Sequence, residues 1–228
     1  RLTGAAPHAT SPRGVTPVQL YSYFRSSAAY RVRIALNLKG LDYAITSVHL
    51  VRDGGLNRTP EYRRVNPQMR VPALRLDDGD VLVQSLAIIG YLDETHPEPP
   101  LLPSDPRQRA KVQAIAQMIA CDIHPLNNTS TLAYLRTTFG QGSAAVKAWY
   151  AHWVREGFEA IEQMIRPGPY AFGSKVTLAD VCLVPQVANA RRFQVALDDY
   201  PNIVAVDAAC RRLAAFEHAA PENQPDAE

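Results

Sequence analysis

Two adjacent serines precede the first predicted helix of the chain. Ser26 and Ser27 are followed by apolar residues at helical spacing, and Gly40 ends that stretch. A serine hydroxyl can donate a hydrogen bond to an anion, and a helix N-terminus adds unpaired N–H groups and positive potential. A serine in this place can equally be an ordinary N-cap. The pair therefore predicts either an anion site or a helix cap.

A second polar pair, Gln84 and Ser85, opens another predicted helix. Apolar residues follow it with the spacing of one helix face. A carboxylate placed here would meet N–H donors, a hydroxyl and the positive end of the helix. A simple serine cap is again the plain alternative.

The elements that must position these serines form a β-α-β unit followed by a β-β-α unit. Short runs rich in β-branched and aromatic residues predict strands, and residues 77–80 (Asp-Asp-Gly-Asp) predict a hairpin turn. This order is typical of a small mixed α/β domain of thioredoxin type. The chain has no C-x-x-C sequence, so dithiol redox chemistry is excluded. The predicted strands are residues 18–24, 43–50, 72–76 and 81–83.

A proline-rich segment divides the chain. Five prolines occur within residues 97–106 and predict a stiff linker. Beyond it no strand pattern recurs, and amphipathic spacing predicts an all-helical half. The predicted parts are a disordered extension (1–17), a thioredoxin-like domain (18–97), a linker (98–106), an all-helical domain (107–220) and a tail (221–228).

Three long helices are predicted in the second half, over residues 144–165, 177–197 and 203–218. The sequence Thr177-Leu-Ala-Asp180 has the spacing of a capping box before an apolar run. We assign this motif to stability and not to catalysis.

The bulk composition is that of a globular protein and argues against several classes of partner, namely nucleic acid, membranes and metal ions. The formal net charge of +2 gives no global attraction to nucleic acid or anionic membranes. No apolar run approaches the roughly 20 residues that span a bilayer. Three widely separated cysteines predict free thiols and a cytoplasmic protein. The six histidines form no H-x₃-H pair, so no metal site is predicted.

Two long segments carry a family resemblance. Residues 23–40 (Tyr-Phe-Arg-Ser-Ser-Ala-Ala-Tyr-Arg-Val-Arg-Ile-Ala-Leu-Asn-Leu-Lys-Gly) and residues 177–193 resemble signatures of zeta-class glutathione transferases. Shorter matches lie at Asn66-Pro67 and Leu101-Leu102-Pro103, and the resemblance covers roughly residues 18–220. It implies a glutathione transferase fold, with an N-terminal thioredoxin-like domain that binds glutathione and a C-terminal all-α domain that binds substrate. It also implies a homodimer.

The class includes maleylacetoacetate isomerase, so the resemblance implies a glutathione-dependent cis–trans isomerase. Reversible addition of the glutathione thiolate would make a double bond transiently single and let it rotate. The implied substrate is a small dicarboxylate, maleylacetoacetate or, as in related bacterial isomerases, maleylpyruvate. A general transferase or dehalogenase is another alternative, and a non-catalytic ligand carrier is a third class.

The resemblance also implies roles for single residues of the first domain. Ser26 matches the catalytic serine, and Ser27 lies beside it. Val71-Pro72 matches a cis-proline site whose valine backbone pairs with the cysteinyl part of glutathione. Gln84 and Ser85 match positions that bind glutathione, where the γ-glutamyl carboxylate would be held.

Two arginines are predicted to bind the substrate carboxylates, because a guanidinium recognises a carboxylate through two parallel hydrogen bonds. Arg25 adjoins the catalytic serines and counts as part of the catalytic group. Arg192 lies in the second long match, with Arg191 as the alternative if the register differs by one residue.

His124 matches a family position that contacts glutathione, with Asn128 and Ser130 nearby as further contacts. A proline follows His124, so a helix-end role is the alternative. Two departures from the family pattern stand out. Ala28 replaces the cysteine of eukaryotic members, which places side activities aided by that thiol in doubt. Residues 129–130 are small and polar where bacterial relatives often carry arginine, which leaves the choice of substrate open.

Overall fold

The structure is a computed structural model that describes residues 18–228. The predicted disordered extension over residues 1–17 lies outside the described residues. The described chain forms two compact units, residues 18–99 with Ala214–Glu228 and Pro100–Leu213. Residues 214–220 were predicted as part of the helical domain, whereas the structure groups them with the first unit.

A four-stranded mixed sheet forms the centre of the first unit, with the strand order β2-β1-β3-β4. Strand β1 (Val18–Ser22) pairs in parallel with β2 (Tyr43–Ser47). Strand β3 (Ala73–Arg75) pairs antiparallel with both β1 and β4 (Val81–Val83). The four predicted strands are therefore present, the first three being shorter than predicted. Their order confirms the thioredoxin-like topology.

Helix α1 (Ser27–Leu38) is buried along ten consecutive residues, from Ser27 to Leu36. A helix that is buried all round must lie inside a domain, and α1 packs against α3 and α10. The predicted stop at Gly40 is confirmed, because this glycine has a left-handed φ of 64° just beyond the helix. The other helices of this unit are α2 (Pro60–Val65), α3 (Ser85–Thr95) and α10 (Ala214–Ala219).

The second unit is helical, as predicted, apart from a pair of two-residue strands, β5 (Arg166–Pro167) and β6 (Phe172–Gly173). A π-helical turn over Met118–Ile123 links two of its helices. Within residues 18–228, no helix combines the length and the apolar character needed to cross a bilayer. The helices are α4 (Pro106–Gln117), α5 (His124–Asn127), α6 (Thr129–Thr137), α7 (Ser143–Met164), α8 (Leu178–Arg192) and α9 (Pro201–Cys210).

One predicted helix is wrong and one predicted cap is confirmed. The helix expected over residues 203–218 is broken between α9 and α10, where the Leu213 N–H donates to the Cys210 carbonyl 2.9 Å away in a turn. The capping box of α8 is present, because the Asp180 carboxylate accepts hydrogen bonds from the Thr177 N–H (2.8 Å) and hydroxyl (3.0 Å). Asp180 is fully buried, and this desolvation raises the pKa of its carboxyl group.

Candidate active site

The strand register brings three loops of the first unit to one edge of the sheet. Tyr21 near the end of β1 pairs with Ala73 at the start of β3, and Ala73 pairs with Val83 at the end of β4. The loop that leaves β1, the loop that enters β3 and the loop that leaves β4 must therefore lie side by side. These loops, with the first residues of α1 and α3, carry the predicted residues Arg25, Ser26, Ser27, Val71, Pro72, Gln84 and Ser85.

Ser26 is the N-cap of α1 and is also suited to donate to an anion. Its Oγ accepts a hydrogen bond from the Ala29 N–H at 3.2 Å, and its side chain is only partly buried. A hydroxyl accepts with its lone pairs and donates with its proton, so the cap bond leaves the proton available to a ligand. The two roles considered for this serine are therefore compatible.

The neighbours of Ser26 differ in exposure. Ser27 begins α1 and is 5% exposed, so Ser26 presents the more accessible hydroxyl. Arg25 is exposed, and its guanidinium carbon lies 4.7 Å from the centre of the Phe24 ring. Stacking of this kind orients a guanidinium while its N–H groups can still bind a carboxylate.

Gln84 connects β4 to α3 in an unusual backbone conformation. Its φ is 71°, a left-handed value that costs about 1–3 kcal/mol for a residue other than glycine. Its side-chain amide donates to the Gln68 Oε1 at 2.8 Å. A strained, exposed residue that opens a helix is the kind of position where ligand contacts concentrate.

A buried arginine lies beneath the N-terminus of α3. Arg31 on α1 is 1% exposed, and its Nη1 donates to the Ser85 Oγ at 3.3 Å. Ser85 can therefore accept from the guanidinium and still have its own proton to donate to a ligand. This bond connects α1, which Ser26 caps, to the start of α3. A fixed positive charge thus supports the place predicted for a carboxylate.

Two helix N-termini lie at this edge, and neither helix carries an acidic residue of its own in its first turn. Helices of 12 and 11 residues each place roughly half a positive charge at their N-termini. The residues present therefore fit a ligand with an ionised sulfur and a separate carboxylate, as glutathione has.

The loop that enters β3 contains the expected cis-proline. The Val71–Pro72 peptide bond is cis, and both residues are buried. Ala73 follows directly as the first residue of β3. This cis bond was predicted from the family resemblance alone, because the local sequence does not distinguish it from a trans bond.

The predicted residues of the second unit are partly engaged in capping. The Asn128 Oδ1 accepts from both the N–H (2.9 Å) and the hydroxyl (3.0 Å) of Ser130, which caps α6. His124 is partly buried at the start of α5, directly after the π-helical turn. A capping role for Asn128 and Ser130 is thus evident without a ligand.

The two neighbouring arginines at the end of α8 have different surroundings. Arg191 forms an ion pair of 2.6 Å with Asp207, which is 1% exposed, and is thereby tied to the interior. Burial raises the pKa of Asp207, and the Arg191 guanidinium partly opposes that rise. Arg192 at the same helix end is exposed, as Arg191 is. The ion pair with Asp207 thus engages Arg191, which leaves Arg192 as the candidate for binding a ligand.

Aromatic packing supports Arg192. Its guanidinium carbon lies 5.0 Å from the centre of the Phe193 ring, and its Nη2 donates to the Asn189 Oδ1 at 3.2 Å. Phe193 in turn stacks on Tyr150, with ring centres 3.7 Å apart. Burial raises the pKa of Tyr150 to about 12, so this phenol is neutral at physiological pH.

Sequence reasoning missed the buried arginines of α1. Arg31 and Arg33 lie in the matched segment 23–40, yet neither was selected as a site residue. The available signal was chemical, because two charged residues within an otherwise apolar helix must find buried partners. Two of the partners, Ser85 and the Ala219 carbonyl, lie 54 and 186 residues away along the chain and have no local signature.

A surface cavity of about 580 Å³ lies in the second unit and contains none of the predicted site residues. Lys111 and Arg166 give its lining a basic character. Among residues 18–228, no group of three or more His, Cys, Asp or Glu side chains is placed to hold a metal ion. The cavity lining is completed by Gln108, Gln163, Met164, Phe172 and Gly173.

Family models match both halves of the chain. Residues 25–95 match the N-terminal domain of glutathione S-transferases, and residues 143–215 match the C-terminal domain. The maleylacetoacetate isomerase of Pseudomonas aeruginosa is 51% identical over 209 residues, which cover 92% of this chain and 98% of that protein. The maleylpyruvate isomerase of a Ralstonia species is 50% identical over 214 residues, covering 92% and 99% respectively.

Solved structures agree with the sequence relatives. The holo structure of a maleylpyruvate isomerase, described as a bacterial zeta-class glutathione S-transferase, has a TM-score of 0.89 at 49% identity. It covers 92% of this chain and is itself covered completely. The maleylacetoacetate isomerase of Anaeromyxobacter dehalogenans, with dicarboxyethyl glutathione and citrate in its active site, has a TM-score of 0.82 at 39% identity, with coverages of 93% and 94%. The chain therefore belongs to the zeta class of the glutathione transferase family, among the maleylacetoacetate and maleylpyruvate isomerases.

Proposed function

We propose that this protein is a glutathione-dependent cis–trans isomerase that converts maleylacetoacetate to fumarylacetoacetate. The observation that carries the proposal is the convergence of Ser26 and Ser85, each at a helix N-terminus without acidic residues, on one edge of the sheet. Such an edge offers separate places for a thiolate and for a carboxylate of one ligand.

The residues of the first unit have distinct tasks in this proposal. Bound glutathione supplies the sulfur nucleophile. The nucleophilic form is the thiolate, and only a small fraction of a free thiol is ionised at neutral pH, so the site must stabilise the thiolate. Ser26 donates its hydroxyl proton toward the ionised sulfur, and the N-terminus of α1 adds positive potential. Gln84 and Ser85, with Arg31 behind Ser85, bind the γ-glutamyl carboxylate, and the Val71 backbone before cis-Pro72 binds the cysteinyl part.

The substrate is proposed to be bound through its carboxylates. Arg25 and Arg192 are both exposed, and each lies over a neighbouring aromatic ring. A guanidinium held in this way offers a carboxylate two parallel N–H donors. His124, Asn128 and Ser130 are proposed as further glutathione contacts on the strength of the family match.

Maleylpyruvate is the second candidate substrate. Two observations favour it: the Ralstonia maleylpyruvate isomerase is as similar to this chain as the Pseudomonas protein, and a holo maleylpyruvate isomerase structure superposes with a TM-score of 0.89. Both substrates are short dianions with a cis double bond, so the same arginines would serve either one. The dicarboxyethyl glutathione in the Anaeromyxobacter relative is what results when a thiol adds to a four-carbon unsaturated dicarboxylate.

The test is an ultraviolet assay of purified protein on each substrate, with and without glutathione. We expect turnover only with glutathione, and a higher kcat/KM for maleylacetoacetate. Turnover without glutathione would contradict the mechanism, whereas a preference for maleylpyruvate would select the second substrate. Conjugation of a small α-halo acid without any isomerisation would instead identify a transferase or dehalogenase.

The assembly and location are also proposed. A homodimer is expected from family membership, and light scattering after size-exclusion chromatography would establish the mass. A cytoplasmic location is supported by the three cysteines, which are all free thiols, and by the need for reduced glutathione. Fractionation of cells that express the natural gene would test it.

A further inference from the structure

Arg33 is a fully buried cation in the middle of α1. Its relative exposure is 0%, and it follows the catalytic serines by two helical turns. Taking a charged guanidinium out of water is costly unless its N–H groups are well bonded. The partners of Arg33 therefore indicate what the buried charge stabilises.

Most of these partners belong to the turn between β1 and α1. Arg33 Nη1 donates to the Ser22 Oγ at 3.0 Å and to the Tyr23 carbonyl at 3.5 Å, and Nη2 donates to the Phe24 carbonyl at 3.2 Å. Nε donates to the Ala219 carbonyl at 2.9 Å, near the end of α10. All four acceptors are uncharged, so the guanidinium is held by oriented dipoles.

The other groups that face Arg33 are two phenols and one carboxyl group. The guanidinium carbon lies 5.3 Å from the centre of the Tyr30 ring, while Tyr43 and Asp226 interact with it through charge. Burial lowers the pKa of Arg33 to about 10, so it stays protonated at neutral pH. The Asp226 carboxylate also accepts from the Phe24 N–H at 3.1 Å, which holds the same turn from its other side.

The bonded turn leads directly to Ser26. The Ser26 N–H donates to the Tyr23 carbonyl at 2.9 Å, and that carbonyl is also an acceptor of Arg33. The backbone on which the catalytic hydroxyl stands is thus fixed through the guanidinium. A rigid donor stabilises an anion better than a mobile one, because no reorganisation is needed when the charge forms.

We propose that Arg33 is a positioning residue that holds the turn of residues 22–26, so that the Ser26 hydroxyl and the N-terminus of α1 keep the glutathione sulfur ionised. This inference rests on the proposed function. The fork of the guanidinium is required for this role, because its three nitrogens reach four acceptors at once, whereas an ammonium group is a single nitrogen with three N–H donors.

The rival explanation is that Arg33 only ties α10 to α1. The chain offers a matched control for that role, because Asn37 on the same helix donates its Nδ2 to the Ala215 carbonyl at 2.9 Å. None of its hydrogen bonds recorded in the described part of the chain reaches the turn of residues 22–26. Asn37→Ala should therefore weaken the attachment of α10 and leave the turn unchanged.

The decisive measurement is the pKa of the bound glutathione thiol, read from the ultraviolet absorbance of the thiolate at saturating glutathione. We expect Arg33→Lys to raise this pKa by about one unit, which lowers the ionised fraction about tenfold below the pKa. Ser22→Ala, which removes one acceptor of the guanidinium, should give a smaller rise. Asn37→Ala should lower the melting temperature and leave the thiol pKa as in the wild type.

Hydrogen exchange on the glutathione-free protein gives a second readout that needs no activity. The Phe24 and Ser26 amides should exchange faster in Arg33→Lys and Ser22→Ala, and at the wild-type rate in Asn37→Ala. An unchanged thiol pKa in Arg33→Lys, or an equal rise in Asn37→Ala, would overturn the proposal. If Arg33→Lys does not fold, Ser22→Ala decides, and an unchanged pKa and exchange rate there would refute it. Ser26→Ala distinguishes a failure of the proposed function from a failure of the role of Arg33. An unaltered thiol pKa in Ser26→Ala would reject the proposed function, and the hydrogen-exchange rates would then still decide whether Arg33 holds the turn.

Discussion

Substitution of Ser26 by aspartate separates the two roles that the structure gives this serine. As an N-cap, Ser26 holds the Ala29 N–H at 3.2 Å, and aspartate is as good a cap as serine. As a donor to a thiolate, serine has a proton to give, whereas an ionised aspartate has only negative charge. Ser26→Ala removes both the cap and the donor and is the matched comparison.

The expected effects on stability follow from the cap. The cap bond is long and its hydroxyl is partly exposed, so Ser26→Ala should cost about 1 kcal/mol in the free energy of unfolding. For a chain of this size that corresponds to a melting temperature lower by about 2–4 °C. Ser26→Asp should retain the wild-type value or exceed it, since a negative charge at a helix N-terminus contributes about 0.3–1 kcal/mol.

The aspartate variant should keep its stability, but it should stabilise the bound thiolate less well than the wild type does. Two like charges about 4 Å apart repel by roughly 1 kcal/mol in bulk water and about 4 kcal/mol at an effective dielectric constant of 20. Ser26→Asp should therefore raise the pKa of the bound thiol by about 1–3 units. Loss of a hydrogen bond to a charged group, about 1.5–3 kcal/mol, predicts a rise of similar size in Ser26→Ala.

The assay compares melting temperature with thiolate absorbance and kcat/KM in the three proteins. Under the proposed mechanism, Ser26→Asp is stable and nearly inactive. If capping were the only role of Ser26, activity would follow stability, and the aspartate variant would match the wild type while alanine fell behind. A fully active Ser26→Asp enzyme would thus refute the thiolate-donor role.

Three further predictions concern other parts of the chain. Gln84→Gly should leave the melting temperature equal or higher, because glycine adopts the φ of 71° without strain, while isothermal titration should show weaker glutathione binding than in the wild type. Arg31→Lys should raise the Kd for glutathione about tenfold, because the single ammonium cannot support Ser85 as the guanidinium does; an unchanged Kd would exclude a role in carboxylate binding. In a native-state thiol titration only Cys121 should react rapidly, because it is exposed, whereas burial raises the pKa of Cys210; rapid reaction of all three cysteines would contradict this.

The strands, the helices and the residues that start the helices were predictable, because the sequence patterns that specify them extend over only a few residues. The Ser26 hydroxyl accepts from the N–H of Ala29, three residues later in the chain. The Asp180 carboxylate accepts from the N–H of Thr177, three residues earlier. Both motifs are therefore visible in a short window of sequence. The helix expected over residues 203–218 shows the limit of such windows. Its apolar spacing continues through the break, whereas in the structure a turn ends α9 and α10 packs against α1.

The candidate site was predictable in part. Arg191 and Arg192 are indistinguishable as a sequence pair, and only the structure shows that Arg191 forms an ion pair with the buried Asp207. Asn128 and Ser130 were selected as ligand contacts, and the hydrogen bonds between them that cap α6 were not foreseen from the sequence. In both cases the missing information was the identity of the group facing each side chain.

By itself, the sequence determined most of the strands and helices along the chain and the two polar helix starts, because periodicity and capping act over a few residues. Its long motifs also determined the family that the chain resembles. The tertiary structure alone decided that Ser26 and Ser85 share one edge of the sheet, since this depends on the pairing of β1, β3 and β4. It also assigned the buried arginines of α1 to their partners, up to 186 residues away along the chain. A buried charge must be matched by whichever dipoles the fold places around it, and that match is settled only when distant segments pack together.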